Sequence, residues 1–354
     1  MSRRAFMAVR SKPLLALAGA ALATLLVGGA ALGQQKKTLT ISMWGFNGDK
    51  LEQHLFKPFK DKYNVDIVLE AGNAGDRLNK VAIRKGGVDL IYLSDVFSQV
   101  GIEQGLFEKI DTGKLTNLKD LYPLAQAPQG EGYGPGYTVG RYGVIYDSAK
   151  VAAPVTSWHD LWRPEFKRRL TLPGFSTTAG PLTVLVAAAR KNVDAYANPT
   201  ATFESVAELK PNLVKTYNTG SELVNLFSTG EVVVAAAQDF TFAQVKAAIP
   251  TAKWADLSDG AFVTFNTVNI VKGVKDKELA EAFINWHLSV EAQKALAIAG
   301  TDGPTNMKAE LTPEQAAPWT YGEAVIKSLR KPDYAKLNAA KADWGNRWND
   351  IFGR

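Results

Sequence analysis

The sequence predicts an α/β protein made of two strand-and-helix sets, each forming a mostly parallel sheet flanked by helices. Short apolar runs alternate with helical patterns along the 354 residues. A strand–helix–strand order implies right-handed crossovers and parallel pairing. No period of about 20–50 residues repeats, which argues against a solenoid or a propeller.

The first set begins close to residue 39. Its second element, Lys50–Tyr63, carries Leu51, Leu55 and Phe59 on one side, as an amphipathic helix does. Val88–Leu93 is almost entirely apolar, which is typical of a buried strand, and Gly105 is a suitable helix stop. The predicted order is strand, helix, strand, helix, strand, helix at Leu39–Trp44, Lys50–Tyr63, Val65–Leu69, Asp76–Lys85, Val88–Leu93 and Val96–Gln104.

The second set has the same alternation. Its clearest strand is Glu231–Ala237, a continuous apolar run that suits the centre of a sheet. Thr312, Pro313 and Gln315 form a capping box that starts a helix, and the aromatic tail beyond it predicts helices that pack by aromatic burial. The other predicted strands are Gly143–Tyr146, Leu170–Leu172 and Phe262–Val271, and the helices are Pro181–Lys191, Thr202–Leu209, Ser221–Phe227, Lys277–Leu288 and Val290–Ala299.

Residues 1–33 have the pattern of an export signal. Arg3 and Arg4 precede an uncharged stretch, Leu14–Leu32, and small residues end it before Gln34. The Ser-Arg-Arg-x-Phe order resembles a twin-arginine signal for cargo that is exported folded. An uncleaved anchor helix is the alternative, since nineteen uncharged residues approach the length that spans a bilayer.

Composition excludes several classes of function. Four of the 41 Lys and Arg residues lie in the signal, so the remaining chain has 37 basic residues against 35 acidic ones, which gives no nucleic-acid footprint. The chain has no cysteine and three widely spaced histidines. We therefore expect no metal or redox site, no cofactor, no disulfide and no lipid-attachment cysteine. The exported protein is expected to be periplasmic, soluble and monomeric.

Ligands of open parallel sheets bind beyond the carboxyl ends of the strands. Four polar or aromatic turns occupy such positions, two in each set. If the sets form two lobes, these turns face each other across a cleft. They are Trp44–Asn47, Ser94–Asp95, Pro173–Thr178 and Gln238–Phe240.

Four segments resemble the spermidine/putrescine-binding proteins, which are periplasmic substrate-binding components of ABC importers for polyamines, iron and thiamine. The segment Val155–Leu172 resembles the inter-lobe region of that family, and with Val88–Leu106 the likeness covers nearly all of the chain after the signal. The other similar segments are Asp111–Leu121, Gly140–Lys150 and Asn285–Asn306.

The resemblance implies a two-lobe periplasmic-binding-protein fold with two crossings, near Tyr137–Gly143 and Phe262–Val271. Lobe 1 would comprise residues 34–140 and 264–303, and lobe 2 residues 141–263 and 304–354. It also implies closure of a hinge on a small organic ligand. The implied partners are an ABC permease and its ATPase, with neither nucleic acid nor membrane insertion after signal removal.

The ligand stays open at this stage. Acidic residues of the polyamine-binding family are absent after Leu172, and the family's later aromatic and acidic pair falls near Thr264 and Asn266. Asp95 and Asp239 remain as ammonium partners, whereas Arg141 and the hydroxyls of the Ser176–Thr178 turn suit an anionic group. Polyamine is the family default, and an amino-acid-like zwitterion or an organic anion is the alternative. The candidate ligand-binding residues are Trp44, Gly45, Asn47, Ser94, Asp95, Arg141, Ser176, Thr177, Thr178, Gln238, Asp239 and Asn266.

An enzyme is the competing class of function. The nucleophile-elbow, phosphate-loop and zinc-protease motifs do not occur in the sequence. The glycines at Gly132, Gly134 and Gly136 do not follow a predicted strand, so they do not form a nucleotide fingerprint. A secreted hydrolase that uses carboxylates is the remaining enzymatic hypothesis. We predict a binding protein with no catalytic residues.

Overall fold

The computed structural model describes residues 36–45 and 47–353. The predicted export signal at residues 1–33 lies outside the described residues, as does Phe46. Among the described residues, no helix combines the length and the apolar character that crossing a membrane requires.

One continuous mixed sheet runs through the described chain, with the strand order β2-β1-β3-β9-β4-β7-β5-β6 and with β8 paired to β4. Parallel pairs lie on both sides, between β1 and its neighbours β2 and β3 and between β5 and its neighbours β6 and β7. The central strands β9 and β4 pair antiparallel to each other and to their neighbours. The strands are β1 (Lys37–Met43), β2 (Val65–Ala71), β3 (Leu90–Ser94), β4 (Gly136–Asp147), β5 (Leu170–Pro173), β6 (Leu213–Tyr217), β7 (Val234–Gln238), β8 (Ala252–Trp254) and β9 (Phe262–Ile270).

Helices follow most strands, and a π-helical turn at Glu52–Phe56 joins the first two into one rod. Asp276, Ser289 and Asp333 each accept a backbone amide and so begin a helix, as short polar side chains do. The helices are α1 (Gly48–Leu51), α2 (Lys57–Tyr63), α3 (Ala74–Arg84), α4 (Asp95–Glu103), α5 (Pro123–Gln126), α6 (Gly180–Arg190), α7 (Pro199–Ala207), α8 (Gly220–Ser228), α9 (Phe242–Ala248), α10 (Lys277–His287), α11 (Val290–Ile298), α12 (Pro313–Ala316), α13 (Glu323–Ser328) and α14 (Tyr334–Phe352).

The predicted alternation of strands and helices is confirmed by this order, with differences of a few residues at the ends of elements. However, α10, α11 and most of β9, which the sequence analysis assigned to the second set, pack in the first core. Four elements were missed: β6, β8, α5 and α9. β8 has only three residues, too few for an alternating pattern, and β6 reads Leu-Val-Lys-Thr-Tyr without a clear period. β4 is longer than the predicted Gly143–Tyr146 because it includes the predicted crossing.

Two large apolar cores flank the central strands. The first is built around β1, β3 and α10, where Phe59 and Phe283 meet edge to face with ring centroids 4.9 Å apart. The second is built around β5, β7 and α6 and is closed by Trp158 and Trp344. Buried aromatic area of this kind provides much of the driving force for folding.

β4 and β9 pass from one core to the other. In β4, Tyr137 and Val139 lie in the first core, whereas Tyr142 and Val144 lie in the second. In β9, Phe262 contacts the second core, and Val268 and Ile270 contact the first. The two strands therefore correspond to the predicted crossings, and the polar residues between these apolar stretches lie where the two cores meet.

The C-terminal segment packs against both cores. Ile326 and Leu329 lie in the first core. Trp344 and Trp348 lie in the second, where Trp344 stacks on Tyr196 with centroids 5.2 Å apart. The predicted docking of the aromatic tail by burial is confirmed.

Candidate ligand-binding site

Ser94 and Asn266 are brought together by strand pairing. They are direct cross-strand partners of β3 and β9, and Asn266 faces Thr138 of β4 on its other side. The Ser94 hydroxyl is buried and has no hydrogen-bond partner among the described residues. A buried polar atom without a partner costs free energy unless water or a ligand satisfies it.

Asp95 is used inside the protein. Its side chain is 1% exposed, and its two carboxylate oxygens accept the amides of Val96 and Phe265, each at 2.9 Å. Burial raises the pKa of Asp95 to about 7, although these hydrogen bonds act in the opposite direction. The carboxylate ties the start of α4 to the crossing strand β9, which is a structural role.

Asp239 lies beside the crossing strands with part of its surface exposed. Its carboxylate accepts a hydrogen bond from the Thr320 hydroxyl. A methyl group added to Gly140 would come within 2.6 Å of Asp239 Oδ1 and 3.3 Å of Thr264 Oγ1. The absence of a side chain at Gly140 therefore lets the Asp239 carboxylate approach β4 closely.

Burial raises the pKa of Asp239 to about 6, while the Thr320 hydrogen bond, the backbone amide of Arg141 and the charge of Arg141 act against that rise. At neutral pH the group is mainly ionised, and it becomes protonated in mild acid. A carboxylate in this state is a strong partner for an ammonium group, because charge-assisted hydrogen bonds exceed neutral ones in strength.

Arg141 lies next to Asp239. Its guanidinium covers the Trp254 ring, with Cζ 4.8 Å from the centroid, and its Nε is buried without a partner among the described residues. Burial lowers the pKa of Arg141, and the charges of Asp239 and Asp256 oppose that change. Two carboxylates thus compensate one guanidinium, so this group of three charges is net negative.

Gln238 and the Ser176–Thr178 turn lie at the same edge of the sheet, since β5 and β7 are parallel neighbours. The Thr177 hydroxyl donates to the Gly174 carbonyl at 2.8 Å and accepts the Gly180 amide at 3.0 Å, so it braces the start of α6. Ser176 is exposed, and Thr178 and Gln238 are partly exposed. These three residues are therefore accessible from solvent.

Trp44 follows β1 and is packed by Arg77, whose Cζ lies 5.1 Å from the ring centroid. Gly45 is exposed, and Asn47 adopts a left-handed backbone with φ of 56° just before α1. This turn therefore changes direction sharply at Asn47 and presents the Trp44 ring beside the C-terminal end of β1.

The sequence analysis missed a carboxylate, Asp302, that lies near Trp44. Asp302 follows α11 and lines a small cavity of about 10 Å³, which we call the aromatic pocket, whose lining residues are Met43, Trp44, Leu51, Tyr92, Tyr137, His287, Thr301 and Asp302. The volume matches that of one water-sized probe. Burial raises the pKa of Asp302 to about 7.

Two further polar atoms in the aromatic pocket lack partners. His287 Nδ1 bonds the Tyr92 hydroxyl at 2.8 Å, but His287 Nε2 and Thr301 Oγ1 have no partner among the described residues. Burial lowers the pKa of His287 to about 3, so the ring is neutral at physiological pH. The pocket thus combines aromatic walls, a carboxylate and open hydrogen-bonding positions.

β4 links the two carboxylates. The Thr138 hydroxyl donates to the Gly303 carbonyl at 2.8 Å, which fixes the residue next to Asp302 against the strand. Gly140, over which Asp239 lies, is two residues farther along, a span of about 7 Å. The two carboxylates therefore flank a short stretch of one crossing strand.

This arrangement is suited to binding amines. Aromatic faces attract cations, and partly buried carboxylates accept charge-assisted hydrogen bonds from ammonium groups. In residues 36–45 and 47–353, no group of three or more His, Asp or Glu side chains has an arrangement that could hold a metal ion. Asp302 could not be found by the strand-end rule because it follows a helix.

The family model described as bacterial extracellular solute-binding protein matches residues 54–323. A putrescine-binding periplasmic protein, SpuD of Pseudomonas aeruginosa, is 26% identical over 75% of this chain and 77% of its own length. A γ-aminobutyric acid-binding protein of the same species is 27% identical over 78% of this chain and 79% of its own length.

Solved structures agree with these sequence matches. The crystal structure of an ABC transporter protein from Clostridium perfringens is 38% identical and superimposes with a TM-score of 0.83, covering 89% of this chain and 99% of that one. A spermidine/putrescine ABC transporter substrate-binding protein of Streptococcus pneumoniae superimposes with a TM-score of 0.73 at 18% identity, over 89% of this chain and 99% of its own. At that identity the second likeness concerns the fold alone.

Proposed function

Because the chain belongs to the family of bacterial extracellular solute-binding proteins, we propose that it captures a small organic diamine of the polyamine kind for an ABC importer. Its role is that of a solute carrier, and the family implies a permease and an ATPase as partners. Each amino group of the ligand binds one carboxylate, Asp302 at one end and Asp239 at the other.

The observation that carries this proposal is the pair of partly exposed carboxylates along β4. Asp302 lies among aromatic rings and open hydrogen-bonding atoms, and Asp239 lies over Gly140 with Ser94 and Asn266 near by on the neighbouring strands. Asp95 is left out of the set, because both of its oxygens accept backbone amides.

The transport cycle follows from the crossing strands. We propose that residues 34–140 with 264–303 and residues 141–263 with 304–354 act as two lobes that close on the ligand about β4 and β9. A ligand that binds the closed form more tightly shifts the population toward it. Small-angle scattering would then give a smaller radius of gyration at saturation, and an unchanged radius would contradict the closure.

Residues 1–33 supply the export step in this proposal, as a twin-arginine signal that is removed to leave a soluble, monomeric periplasmic carrier. Replacing Arg3 and Arg4 by lysine should leave precursor in the cytoplasm. Normal periplasmic yield from that variant would refute the twin-arginine route but not export itself.

A second candidate ligand is a zwitterion that carries an amine and an acidic group. Arg141 favours it, since the Nε of its guanidinium is buried without a partner beside Asp239. A γ-amino acid would place its ammonium on a carboxylate and its own carboxylate on Arg141. The compensating charges of Asp239 and Asp256 weaken this arrangement, which is why the diamine is preferred.

Isothermal titration of the chain without residues 1–33 distinguishes the two ligands. The panel is putrescine, spermidine and γ-aminobutyrate, tested on the unaltered protein and on Asp302→Asn and Arg141→Gln. The diamine account expects putrescine to bind, Asp302→Asn to weaken it about tenfold to a hundredfold, and Arg141→Gln to strengthen it or leave it unchanged.

The opposite pattern supports the zwitterion. In that case γ-aminobutyrate binds, Arg141→Gln abolishes its binding, and putrescine has no effect on either protein. Recovery of the ligand unchanged at one equivalent per chain would agree with a carrier. Its conversion to product would instead support the secreted hydrolase.

A further inference from the structure

A separate groove lies on the second core, and neither carboxylate of the proposed ligand site is among its lining residues. It has a volume of about 560 Å³, within the range of small-molecule sites. The end of α6, the turn before α7 and the segment that precedes α14 form its walls. The lining residues are Leu185, Ala188, Ala189, Asn192, Val193, Asp194, Ala195, Tyr196, Phe262, Arg330, Lys331, Pro332 and Asp333.

The floor of the groove is apolar. Ala188, Ala195 and Phe262 are buried residues of this floor, and Leu185 and Val193 are partly exposed on its sides. An apolar surface of this kind favours the hydrocarbon part of a ligand. The site would therefore take a molecule with an apolar body rather than a fully polar one.

Arg330 and Lys331 are the cations of the groove, and the charge of Lys331 also acts on the pKa of Asp95. Arg330 lays its guanidinium over the Phe262 ring, with Cζ 4.7 Å from the centroid. Neither Arg330 nor Lys331 occurs in the ion pairs found among residues 36–45 and 47–353. The backbone of Arg330 is fixed, because its carbonyl accepts the Val263 amide at 2.9 Å and its own amide donates to Ala261.

The carboxylates of the groove are already engaged. Asp194 Oδ1 accepts the amides of Tyr196 and Ala197 at 2.7 and 2.9 Å. Asp333 Oδ1 accepts the Lys336 amide at 3.1 Å and so caps α14. One oxygen of each carboxylate is therefore bonded to backbone amides, and an incoming anion would pair with the two cations, which lie in no ion pair among the described residues.

Tyr196 supplies a hydroxyl that has no partner. Its ring is stacked on Trp344, and its buried hydroxyl forms no hydrogen bond among the described residues. Burial raises the pKa of Tyr196 to about 12, so the hydroxyl keeps its proton at neutral pH and remains a donor.

From the cavity, its apolar floor and the cations Arg330 and Lys331, we propose that this groove is a second binding site for a small amphipathic carboxylate. The carboxylate pairs with Arg330 and Lys331, and the apolar body lies against Val193 and Phe262. The site is independent of the diamine site, and its occupant touches β9, one of the two crossing strands.

Titration with 4-phenylbutanoate tests the proposal, with 4-phenylbutanamide as the uncharged control probe. We expect the acid to bind, the amide to bind at least about tenfold more weakly, and Arg330→Gln to weaken the acid about tenfold or more. Ala189→Trp fills the groove from an exposed position and should abolish binding. Lys294→Gln, an exposed change on α11, should leave the acid's affinity unaltered.

Putrescine titrations on the same variants separate this proposal from the diamine site. Putrescine affinity should not change in Arg330→Gln or Ala189→Trp. The groove proposal is overturned if the acid fails to bind up to its solubility limit, or if it binds the unaltered protein, Arg330→Gln and Ala189→Trp equally. Equal binding of acid and amide would refute the role assigned to the cations.

Discussion

Asp95 and Asp239 occupy equivalent places in the two α/β sets, yet their surroundings give them different roles. Each directly follows the last residue of a strand, Ser94 of β3 or Gln238 of β7. Burial raises the pKa of both groups. Asp95 accepts two backbone amides and is fully buried, whereas Asp239 accepts a side-chain hydroxyl and keeps part of its surface exposed.

The difference shows that a strand-end position locates a polar side chain but does not determine its use. The amide of Phe265 reaches Asp95 from β9, a strand 170 residues farther along the chain. No local pattern around Ser94 contains that information. A fully buried carboxylate with both oxygens bonded to backbone amides holds the fold together. Asp239 is partly exposed and bonded to the Thr320 hydroxyl, so it can exchange partners with a ligand.

The largest effect is expected for Asp95→Ala. The change leaves the buried amides of Val96 and Phe265 without acceptors, at about 1–3 kcal/mol each. Urea unfolding should show a loss of about 2–6 kcal/mol in the free energy of unfolding. Putrescine affinity measured on the folded variant should stay unaltered. A loss of affinity without a loss of stability would instead mean that Asp95 binds the ligand.

Asp239→Asn should act on binding rather than on stability. It removes one charge-assisted hydrogen bond worth about 1.5–3 kcal/mol, so putrescine should bind about tenfold to a hundredfold more weakly. Thermal unfolding without ligand should be unchanged or slightly improved, since a charged, partly buried group is lost. Unaltered putrescine affinity in this variant would mean that Asp239 does not bind the ligand and does not differ from Asp95 in role.

Gly140→Ala tests the close approach of Asp239 to β4. The new methyl group would lie 2.6 Å from Asp239 Oδ1, so the carboxylate has to move. Putrescine affinity should fall by about threefold to tenfold, less than for loss of the charge. Gly48→Ala is the matched control, because no atom lies within 4 Å of its added methyl group.

Asp302→Asn should have a small effect on stability, and that effect depends on pH. The folded-state pKa of about 7 is above the usual value of 3.8. The stability that Asp302 contributes is therefore complete below its unfolded pKa and is lost as the pH rises through about 7. At about pH 8 the variant should be more stable than the unaltered protein by about 1 kcal/mol, after allowance for partial exposure.

Near pH 4 that advantage should disappear, because the protonated acid and the amide are then alike in charge. Thermal unfolding of both proteins at the two pH values checks this. A variant that is less stable than the unaltered protein at alkaline pH would mean that Asp302 has a stabilising partner when ionised.

Much of the fold was predictable because it depends on local patterns. The strand β7 is recognisable from its apolar composition, and the amphipathic helix that begins near Lys50 is recognisable from the period of its apolar residues. The crossing strands were also located, through the resemblance of the flanking segments. β8 was missed because three residues do not establish an alternation.

The candidate site was predictable only in part. Ser94, Asn266 and Asp239 follow from strand ends and family positions, and the structure places them at the end of β3, in β9 and beside β4. Asp302 follows a helix and reaches the site because Thr138 holds Gly303. Its segment was identified by its resemblance to the family, but pairing with β4 is a tertiary contact that the local sequence does not specify.

The central claim is that Asp239 and Asp302 bind the ammonium groups of the ligand. Calorimetric titration of putrescine between about pH 5.5 and about pH 8, in buffers of different ionisation enthalpy, tests it directly. Because a cation binds the ionised carboxylates, affinity should rise as the pH passes through 6 to 7, with proton release that is smaller in Asp239→Asn. Affinity that is independent of pH, or that falls as the pH rises, would contradict the account.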